Sequence, residues 1–473
     1  MTLNRVTPVF VLLLGSLWGG DIQAEDTPKD MVEYFTSSGF STPVAIVNSP
    51  AGVYVNGVTY VTYQGAKTDP YIASYHHETQ EWQGPYKAGT SLLGKDEASA
   101  KDSHGKPTML IDNDEYIHLF FGGHGGSDAF GENELGNVFR GMNKHVVSVK
   151  PYDISEFEEL DNISPFGNYN QAIKMDNGDI YLFYRHGAHR SNWVYQKSTD
   201  NARTFSEPVS FLEATPRTDI DAHHSWYAWA TKGSGDDIIV SYDYHVCWNI
   251  TSAPFKARGG HFAERNNLYY MVFNTQTGIW RNVSGEELKV PVTYEAANAK
   301  ALVTETGLDN WTFNGSVHLD ENNYPHVTIN TGRDLGKINW GGPKQTEYYR
   351  WNGQKWLGGN TVHPNANNKN LDTRGDFFLN DEGGFTFALG YKEGEDEIIS
   401  YFEYDQKNQC FSKVSDLVKV KNANWAMSPM IENAHPDARF LAAEKVVGEK
   451  EWRRMYLVGD HGAVKRVESE ANQ

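Results

Sequence analysis

Cysteine is scarce in this chain: its 473 residues include only two, Cys247 and Cys410. An exported protein that depends on disulfides usually carries more, so a disulfide framework is excluded, although one bond between these two residues remains possible. Because Cys247 lies between histidines in the sequence, we interpret it instead as a metal ligand.

Long apolar runs are also missing after the first residues. Residues 1–24 combine a basic start, a short apolar run from Val9 and a small residue, Ala24, before Glu25. This pattern is typical of a secretory signal peptide, and the run is too short to anchor a protein in a bilayer. We therefore predict cleavage near Ala24 and a secreted or periplasmic protein.

Positive charge is in deficit, with 42 Lys and Arg against 61 Asp and Glu and a formal net charge of −19. Such a balance argues against nucleic acid as a partner. An anionic substrate would have to be held by a local group of basic side chains.

Helical patterning is hard to find, whereas a polar turn followed by an alternating or apolar strand recurs along the chain. The repeats start at Asn56, Asp112, Asp176, Asp236, Asp320, Asp381 and, more weakly, Gly448. A second kind of turn leads into an aromatic residue, and residues 198–205 approach an Asp-box turn with Ala202 at the usual glycine position. Without any linker, this predicts one all-β domain, residues 25–473, folded as a seven-bladed β-propeller. A pair of β-sandwiches is the alternative.

Two histidines follow the second repeat strand. His124 has two glycines on each side, which would let a ligand approach the imidazole closely. His145 begins the next predicted strand and could lie beside it. A lone histidine at a strand end is otherwise more often structural.

Basic side chains close the third repeat strand, where Arg185, His189 and Arg190 lie together. They could form a basic wall for an anionic ligand, or a hydrogen-bonded network beside the Asp-box turn. Arg333 follows a later repeat strand at a position equivalent to His124, and could help to clamp a carboxylate or sulfate.

The strand predicted after the turn at Asp236 offers two chemistries, because its side chains alternate between faces. Tyr242 lies on one face and precedes Arg258 by the length of a strand and a turn, although a strand tyrosine usually serves packing. His245 and Cys247 lie on the other face. With His261 they have the residue types and spacing of a zinc site, whose fourth ligand could be His223 or His224. We expect this zinc to be structural.

These motifs together resemble the propeller-type ulvan lyases of polysaccharide lyase families 24 and 25. The resemblance implies a secreted bacterial enzyme that cleaves ulvan, a sulfated rhamnose–uronate polysaccharide, and a zinc site like the one above. It implies that His124 and His145 are the paired active-site histidines, Tyr242 the catalytic tyrosine and Arg258 the arginine that neutralises the carboxylate. Arg333 matches the family less well.

The implied reaction is β-elimination, in which a base removes the proton on C5 of a uronate and the sugar at C4 leaves. An arginine beside the carboxylate would stabilise the enolate-like transition state. On this hypothesis Tyr242, beside Arg258, acts as base and acid, and His124 and His145 position the sugar or share the acid role. No organic cofactor is needed, and a monomer is expected.

Two alternatives remain open from the sequence. A sialidase-like glycoside hydrolase would use an Asp-box propeller, but its Arg-Ile-Pro motif does not occur in this chain. A non-catalytic carbohydrate-binding propeller would explain the aromatic residues, but not why histidine, tyrosine and arginine meet at strand ends.

Overall fold

The computed structural model of the protein describes residues 31–93, 102, 104–138, 140–257, 263–307, 309–333, 344–363, 375–379, 384–446, 448–449 and 451–467. The predicted signal peptide and two predicted site residues, Arg258 and His261, lie outside these residues, as does the repeat turn at Asp381. The only α-helices in the described part of the chain are α1 (Ala253–Ala257) and α2 (Tyr294–Lys300). Neither is long and apolar enough to cross a membrane. The all-β class is confirmed.

Within the described residues, four of the sheets consist of four antiparallel strands that follow one another in the chain. The N-terminal part contains β1 (Met31–Val32), β2 (Thr36–Phe40), β3 (Gly52–Val55), β4 (Val58–Gln64), β5 (Pro70–His76) and β6 (Glu81–Lys87). The next two sheets are β7 (Thr108–Ile111), β8 (Ile117–Gly122), β9 (Asn143–Ser148) and β10 (Phe157–Leu160), then β11 (Asn168–Lys174), β12 (Ile180–Arg185), β13 (Trp193–Ser198) and β14 (Val209–Leu212).

The middle sheet has six strands, and three of them, β15, β16 and β17, are 11 to 12 residues long. It consists of β15 (Ala222–Lys232), β16 (Asp237–Trp248), β17 (Ala263–Asn274), β18 (Trp280–Arg281), β19 (Glu287–Leu288) and β20 (Leu302–Thr304).

Two further four-stranded sheets and a C-terminal group of strands complete the chain. They are β21 (Asn310–Leu319), β22 (Pro325–Arg333), β23 (Lys344–Trp351) and β24 (Trp356–Thr361), then β25 (Asp376–Leu379), β26 (Phe385–Glu393), β27 (Asp396–Asp405) and β28 (Cys410–Lys421). The C-terminal group is β29 (Ala426–His435), β30 (Ala438–Lys445), β31 (Trp452–Gly459), β32 (Gly462–Ala463) and β33 (Arg466–Val467).

The two ends of the chain are joined by strand pairing. Strand β2 pairs antiparallel with β31, so an N-terminal segment completes the C-terminal sheet. Strand β1 pairs with β33, and a single parallel pair, Glu432 with Val53, links β29 to β3.

The predicted turns fall where hairpins form. The turns at Asn56, Asp112, Asp176, Asp236 and Asp320 each connect the first and second strands of a sheet. The turn predicted at Gly448 also lies in a hairpin, although this hairpin connects β30 to β31. The equivalent turn of the last sheet connects β29 to β30 after His435.

The hydrophobic core lies between neighbouring sheets, and strand alternation decides which side chains enter it. On β16, Val240, Tyr242, Tyr244 and Val246 are buried in one hydrophobic cluster, as the alternation predicts. Burying a large apolar side chain contributes roughly 1.5–3 kcal/mol, so such faces fix the packing of the sheets. The opposite face of β16 carries Ser241, Asp243, His245 and Cys247.

The Asp-box-like turn has the structure that its sequence predicts. Asp200 accepts hydrogen bonds from Ser198 Oγ (2.8 Å) and from the backbone nitrogen of Thr204 (2.9 Å). Ala202 is fully buried with φ 57°, and Phe205 packs edge-on against Phe120. The alanine is accommodated in a conformation that glycine adopts more readily.

Candidate active site

The buried carboxylate of Asp102 holds two histidines of the candidate site together. Asp102, in the connection between β6 and β7, accepts hydrogen bonds from His104 Nδ1 (2.5 Å) and His124 Nδ1 (2.7 Å). The two imidazole rings stack with centroids 3.8 Å apart. Burial acts to raise the pKa of Asp102, but the hydrogen bonds and charges of the histidines outweigh it and hold that pKa well below its usual value.

The glycines around His124 permit close approach of backbone from the next sheet. A Cβ atom on Gly123 would lie 1.7 Å from the carbonyl oxygen of Gly167, and the backbone nitrogen of His124 donates to the same oxygen (3.2 Å). His124 itself has φ 89°, an uncommon conformation for a residue with a side chain. The glycine-rich sequence therefore positions the imidazole by bringing two backbones together.

Arg185 is the buried cation of the site. It ends β12 with no solvent exposure, and its guanidinium carbon lies 5.0 Å from the ring centroid of Tyr169 and 5.1 Å from that of Tyr227. Within the described residues, none of its three side-chain nitrogens makes a hydrogen bond of ordinary geometry. A buried charge without such partners is costly, so the site is suited to an anion that supplies them.

The two tyrosines beside Arg185 differ in their electrostatics. Burial would raise the pKa of Tyr227, but the charges of Arg265 and Arg185 outweigh it and lower that pKa; Arg265 lies 3.5 Å from the ring centroid. Burial and the neighbouring Tyr227 raise the pKa of Tyr169, which therefore keeps its proton. Tyr169 has φ 59°, and its backbone nitrogen donates to the carbonyl oxygen of His104 (3.2 Å).

His104 is the more accessible histidine of the pair, since 30% of its side chain is exposed. Its ring centroid lies 5.5 Å from that of Tyr169. Burial lowers its pKa to about 4, against the opposing effect of the Asp102 hydrogen bond. The imidazole is therefore neutral near pH 7, and its Nδ1 bond to Asp102 leaves Nε2 for a ligand.

A second group of side chains lies directly beside these residues. His189, His245 and Cys247 have donor atoms within 4.8 Å of one another, and His189 is also close to His104 and His124. The Tyr227 hydroxyl lies 3.5 Å from His189 Nδ1. Cys247 is a buried free thiol and Cys410 an exposed one, so the disulfide considered from the sequence is absent. His189, predicted to bind substrate, thus lies among potential metal ligands.

The structure corrects the role predicted for Tyr242. Its side chain is fully buried between Trp226 and Tyr269, and burial raises its pKa well above the usual value. A phenol enclosed by aromatic rings cannot reach a sugar.

His145 is also corrected, because it does not pair with His124. It is fully buried, with Nε2 2.9 Å from His118 Nδ1, Nδ1 2.8 Å from Asn162 Oδ1 and its ring stacked on Phe120. This histidine therefore belongs to a hydrogen-bonded network between sheets.

His224 is not a fourth metal ligand, because it lies on the other face of β15. Its Nδ1 is 2.8 Å from the hydroxyl of Tyr244, and its ring stacks on Tyr294. His223, the alternative, pairs with Cys247 across the strands and shares its face.

The remaining predicted residues lie at the border of the site. Arg190 donates to the carbonyl oxygen of Trp248 (3.4 Å). Arg333 is exposed at the end of β22, opposite Asn310.

Five residues of the site were missed from the sequence: Asp102, His104, Tyr169, Tyr227 and Arg265. Asp102 and His104 belong to the connection before β7, and Tyr169 lies at the start of β11. No turn signal in the sequence marks these places. Tyr227 carried a usable signal, since it lies opposite Asp243 on the face of His245 and Cys247.

Known proteins resemble this chain along most of its length. A BNR repeat-containing family matches residues 58–361. The ulvan lyase PL25 of Pseudoalteromonas sp. (strain PLSV) is 52% identical over 465 residues, which cover 97% of this chain and 93% of that protein. The ulvan lyase of Alteromonas sp. (strain LOR) is 52% identical over 444 residues, covering 94% and 90%.

Solved structures agree with this similarity. A polysaccharide lyase PL25 ulvan lyase bound to -[GlcA(1-4)Rha3S]- is 54% identical, with a TM-score of 0.87, covering 92% of this chain and 98% of that chain. The polysaccharide lyase Uly1 has a TM-score of 0.59 at 13% identity, covering 91% and 99%, a likeness that concerns the fold alone.

Proposed function

Because this chain belongs to the ulvan lyases of polysaccharide lyase family 25, we propose that it cleaves ulvan by β-elimination at the uronate and leaves a 4,5-unsaturated uronate end. The observation that carries this reaction is Arg185, a fully buried cation beside a neutral histidine and a protonated tyrosine. The related PL25 structure contains a bound oligosaccharide with glucuronate, which favours a glucuronate-containing substrate for this enzyme.

Arg185 addresses the main energetic difficulty of the reaction. Removing the C5 proton next to an ionised carboxylate would place two negative charges on adjacent groups. A guanidinium that pairs with the carboxylate offsets this charge, and does so most strongly where water is excluded. Arg185 takes the role that the resemblance implied for Arg258, whose own role stays a prediction.

His104 and Tyr169 can supply the proton transfers. Asp102 fixes the His104 ring through Nδ1, so that Nε2 can accept the C5 proton. Tyr169 keeps its proton and can donate it to O4, the bridging oxygen that leaves with the other sugar when its bond to C4 breaks. Both residues are more exposed than Tyr227, of which 5% is exposed.

Tyr227 and Arg265 hold the charged part of the site in place. The Tyr227 ring lies next to both guanidinium groups, and Arg265 also lies 4.6 Å from the ring of Phe313. Stacking fixes the planes of the guanidinium groups while their donors stay available. Two arginines in this position attract an anionic polymer to an otherwise acidic protein.

A zinc ion fits the residues beside this site, and we propose that His189, His245 and Cys247 hold it, with His261 as the predicted fourth ligand. Two imidazoles and a thiol on a buried face are the donor types of a structural zinc site. Bound there, the ion would brace the end of β16 against the connection after β12. The elimination proceeds through Arg185, His104 and Tyr169 and assigns the ion no step.

For the architecture, we propose a single seven-bladed β-propeller over residues 25–473. Its support is the grouping of strands into fours, β3–β6, β7–β10, β11–β14, β15–β18, β21–β24, β25–β28 and β29–β31 with β2. Pairing of β2 with β31 would close the ring. We also propose that residues 1–24 are removed on export, so that the enzyme acts outside the cytoplasm. A monomer remains the expected oligomeric state.

The reaction is tested by adding ulvan to the purified protein and following ultraviolet absorbance. A steady rise from unsaturated uronate is expected, together with loss of viscosity or release of oligosaccharides. Normal ulvan binding without a rise in absorbance would favour the carbohydrate-binding alternative over the lyase.

A further inference from the structure

A separate cluster of metal-binding side chains lies where the first and last sheets meet. His77 directly follows β5, His435 ends β29, and Asp437 belongs to the turn that leads to β30. One donor atom from each residue lies within 4.8 Å of the others, and the two imidazole centroids are 4.0 Å apart. None of these residues belongs to the active site.

The cluster is held in place by its surroundings. His77 Nε2 is 2.8 Å from Thr59 Oγ1 on β4, which fixes the orientation of the ring and leaves Nδ1 for a ligand. The Tyr54 ring lies 5.3 Å from both imidazoles, and Tyr75 lies 5.0 Å from His77. A histidine oriented by a hydrogen bond through its other nitrogen is the usual arrangement at metal sites.

We propose that His77, His435 and Asp437 bind a divalent transition-metal ion of the zinc type. Two imidazoles and one carboxylate suit such ions better than magnesium or calcium, which prefer sets of oxygen ligands. Tetrahedral ligands at about 2.0–2.1 Å from zinc are separated by roughly 3.4 Å, so small side-chain rotations would close the site. Asp437 is 55% exposed at its side chain, which leaves room for water as a further ligand.

The ion would act as a clip between the two ends of the chain. Its ligands come from the β3–β6 sheet and from the β29–β31 group, which are joined by the parallel pair Glu432 with Val53 and by a shared hydrophobic cluster. A cross-link that closes a long loop restricts the unfolded chain, and binding to the folded state adds to its stability. The site would therefore stabilise the junction and has no role in the reaction.

The decisive experiment counts zinc ions in the whole mature protein without a histidine tag. Metal-free protein is titrated with Zn²⁺ by calorimetry, as wild type, His435→Ala and Asp437→Asn, with the exposed His461→Ala as a matched control. Wild type and control should bind one equivalent more than His435→Ala. Asp437→Asn, which keeps the size of the side chain, should bind this equivalent about 10-fold or more weakly.

Cobalt distinguishes this site from the one at Cys247. Co²⁺ bound to a thiolate gives a sulfur-to-metal charge-transfer band, whereas the His77 site contains no sulfur. His435→Ala should keep the band and lose the equivalent of Co²⁺ that binds at the His77 site. Cys247→Ser should lose the band and keep that equivalent. Equal zinc and cobalt stoichiometry in wild type, His435→Ala and Asp437→Asn would overturn the proposal. Absence of the sulfur band would count against zinc at Cys247 alone.

Discussion

The guanidinium of Arg185 lies 5.1 Å from the ring of Tyr227, so that a charge enclosed by protein rests against an aromatic face. Its nitrogens find no hydrogen-bond acceptor of ordinary geometry within the described residues. A stacked ring compensates only part of the cost of burying this charge. The position is therefore expected to serve ligand binding at the expense of stability.

Replacing Arg185 by methionine should lower kcat/KM on ulvan by about 10²–10³-fold, the cost of removing one donor aimed at developing charge. The melting temperature should stay the same or rise, because an apolar side chain of similar length replaces a poorly compensated charge. Steady-state absorbance kinetics and calorimetry measure both quantities. Arg203→Met, at an exposed arginine over Tyr116, is the control for a change of net charge. Unchanged turnover in Arg185→Met would refute its role.

Two tyrosine-to-phenylalanine variants should behave in opposite ways. Tyr169→Phe removes the proposed proton donor and should reduce kcat by about 10²–10⁴-fold with little change in KM. Tyr242→Phe should keep full activity and raise the free energy of unfolding by up to about 1 kcal/mol, because its buried hydroxyl makes no hydrogen bond among the described residues. If Tyr242→Phe were inactive and Tyr169→Phe active, the assignment made from the structure would be wrong.

Asp102→Asn should reduce kcat by about 10²–10⁴-fold, with KM little changed. The two carboxylate oxygens of Asp102 now accept hydrogen bonds from His104 Nδ1 and His124 Nδ1. The amide of asparagine would replace one of these acceptors with an N–H donor, so His104 would lose the orientation that exposes Nε2. Asp114→Asn, at an exposed aspartate that accepts from Asn201, provides the matched control. NMR signals of the His104 ring protons would show whether the tautomer of this histidine changes. Such a change is expected if Asp102 orients His104, and is not expected if Asp102 only supports the fold.

Acid should destabilise the protein through His145. Burial lowers the pKa of this histidine from 6.5 to about 3, so between these values the unfolded chain binds a proton that the folded chain does not. The free energy of unfolding should therefore fall as pH falls from 6.5 toward 3. Urea unfolding at pH 7 and pH 5 measures the slope.

The variant His145→Gln tests that origin. It should be less stable than wild type at pH 7, because stacking on Phe120 is lost, but its stability should depend less on pH. His461→Gln, at an exposed histidine, should keep the wild-type dependence. An unaltered slope in His145→Gln would assign the effect to other groups.

Chelation should separate stability from chemistry. Removing zinc from the proposed site of His189, His245 and Cys247 should lower the melting temperature, while the activity that remains at low temperature should not need metal for proton transfer. Cys247→Ser should reproduce the loss of stability. Immediate and complete loss of turnover, with the fold intact by circular dichroism, would contradict a structural role.

The sequence predicted the strands well, because alternation and turn chemistry are local. The two faces of β16 and the turns at Asn56 and Asp176 follow from neighbouring residues alone. The turn between β29 and β30 was not predicted, because His435–Ala438 carries one acidic residue, Asp437, and no glycine, whereas the turn at Gly448 combines glycine with acidic residues.

The site was predicted only in part, because its members meet across sheets. Arg185 and His124 end strands and were recognised by their neighbours, but the partners that give them chemistry come from connections with no pattern. Tyr242 was chosen for its distance along the chain from Arg258, while the tyrosine beside arginines is Tyr227, one strand earlier and on the other face. Sequence spacing cannot show which face of a sheet meets which neighbour.

Pairing of β2 with β31 has a consequence for biosynthesis. Thr36–Phe40 emerges from the ribosome among the first residues, yet its partner Trp452–Gly459 is made almost last. Until then the edge of the nascent N-terminal segment has nothing to pair with, and contacts so distant in sequence form slowly. Unpaired strand edges also invite association with other chains. A cell producing this protein is therefore expected to depend on chaperones that keep the early segment apart until the last strands arrive.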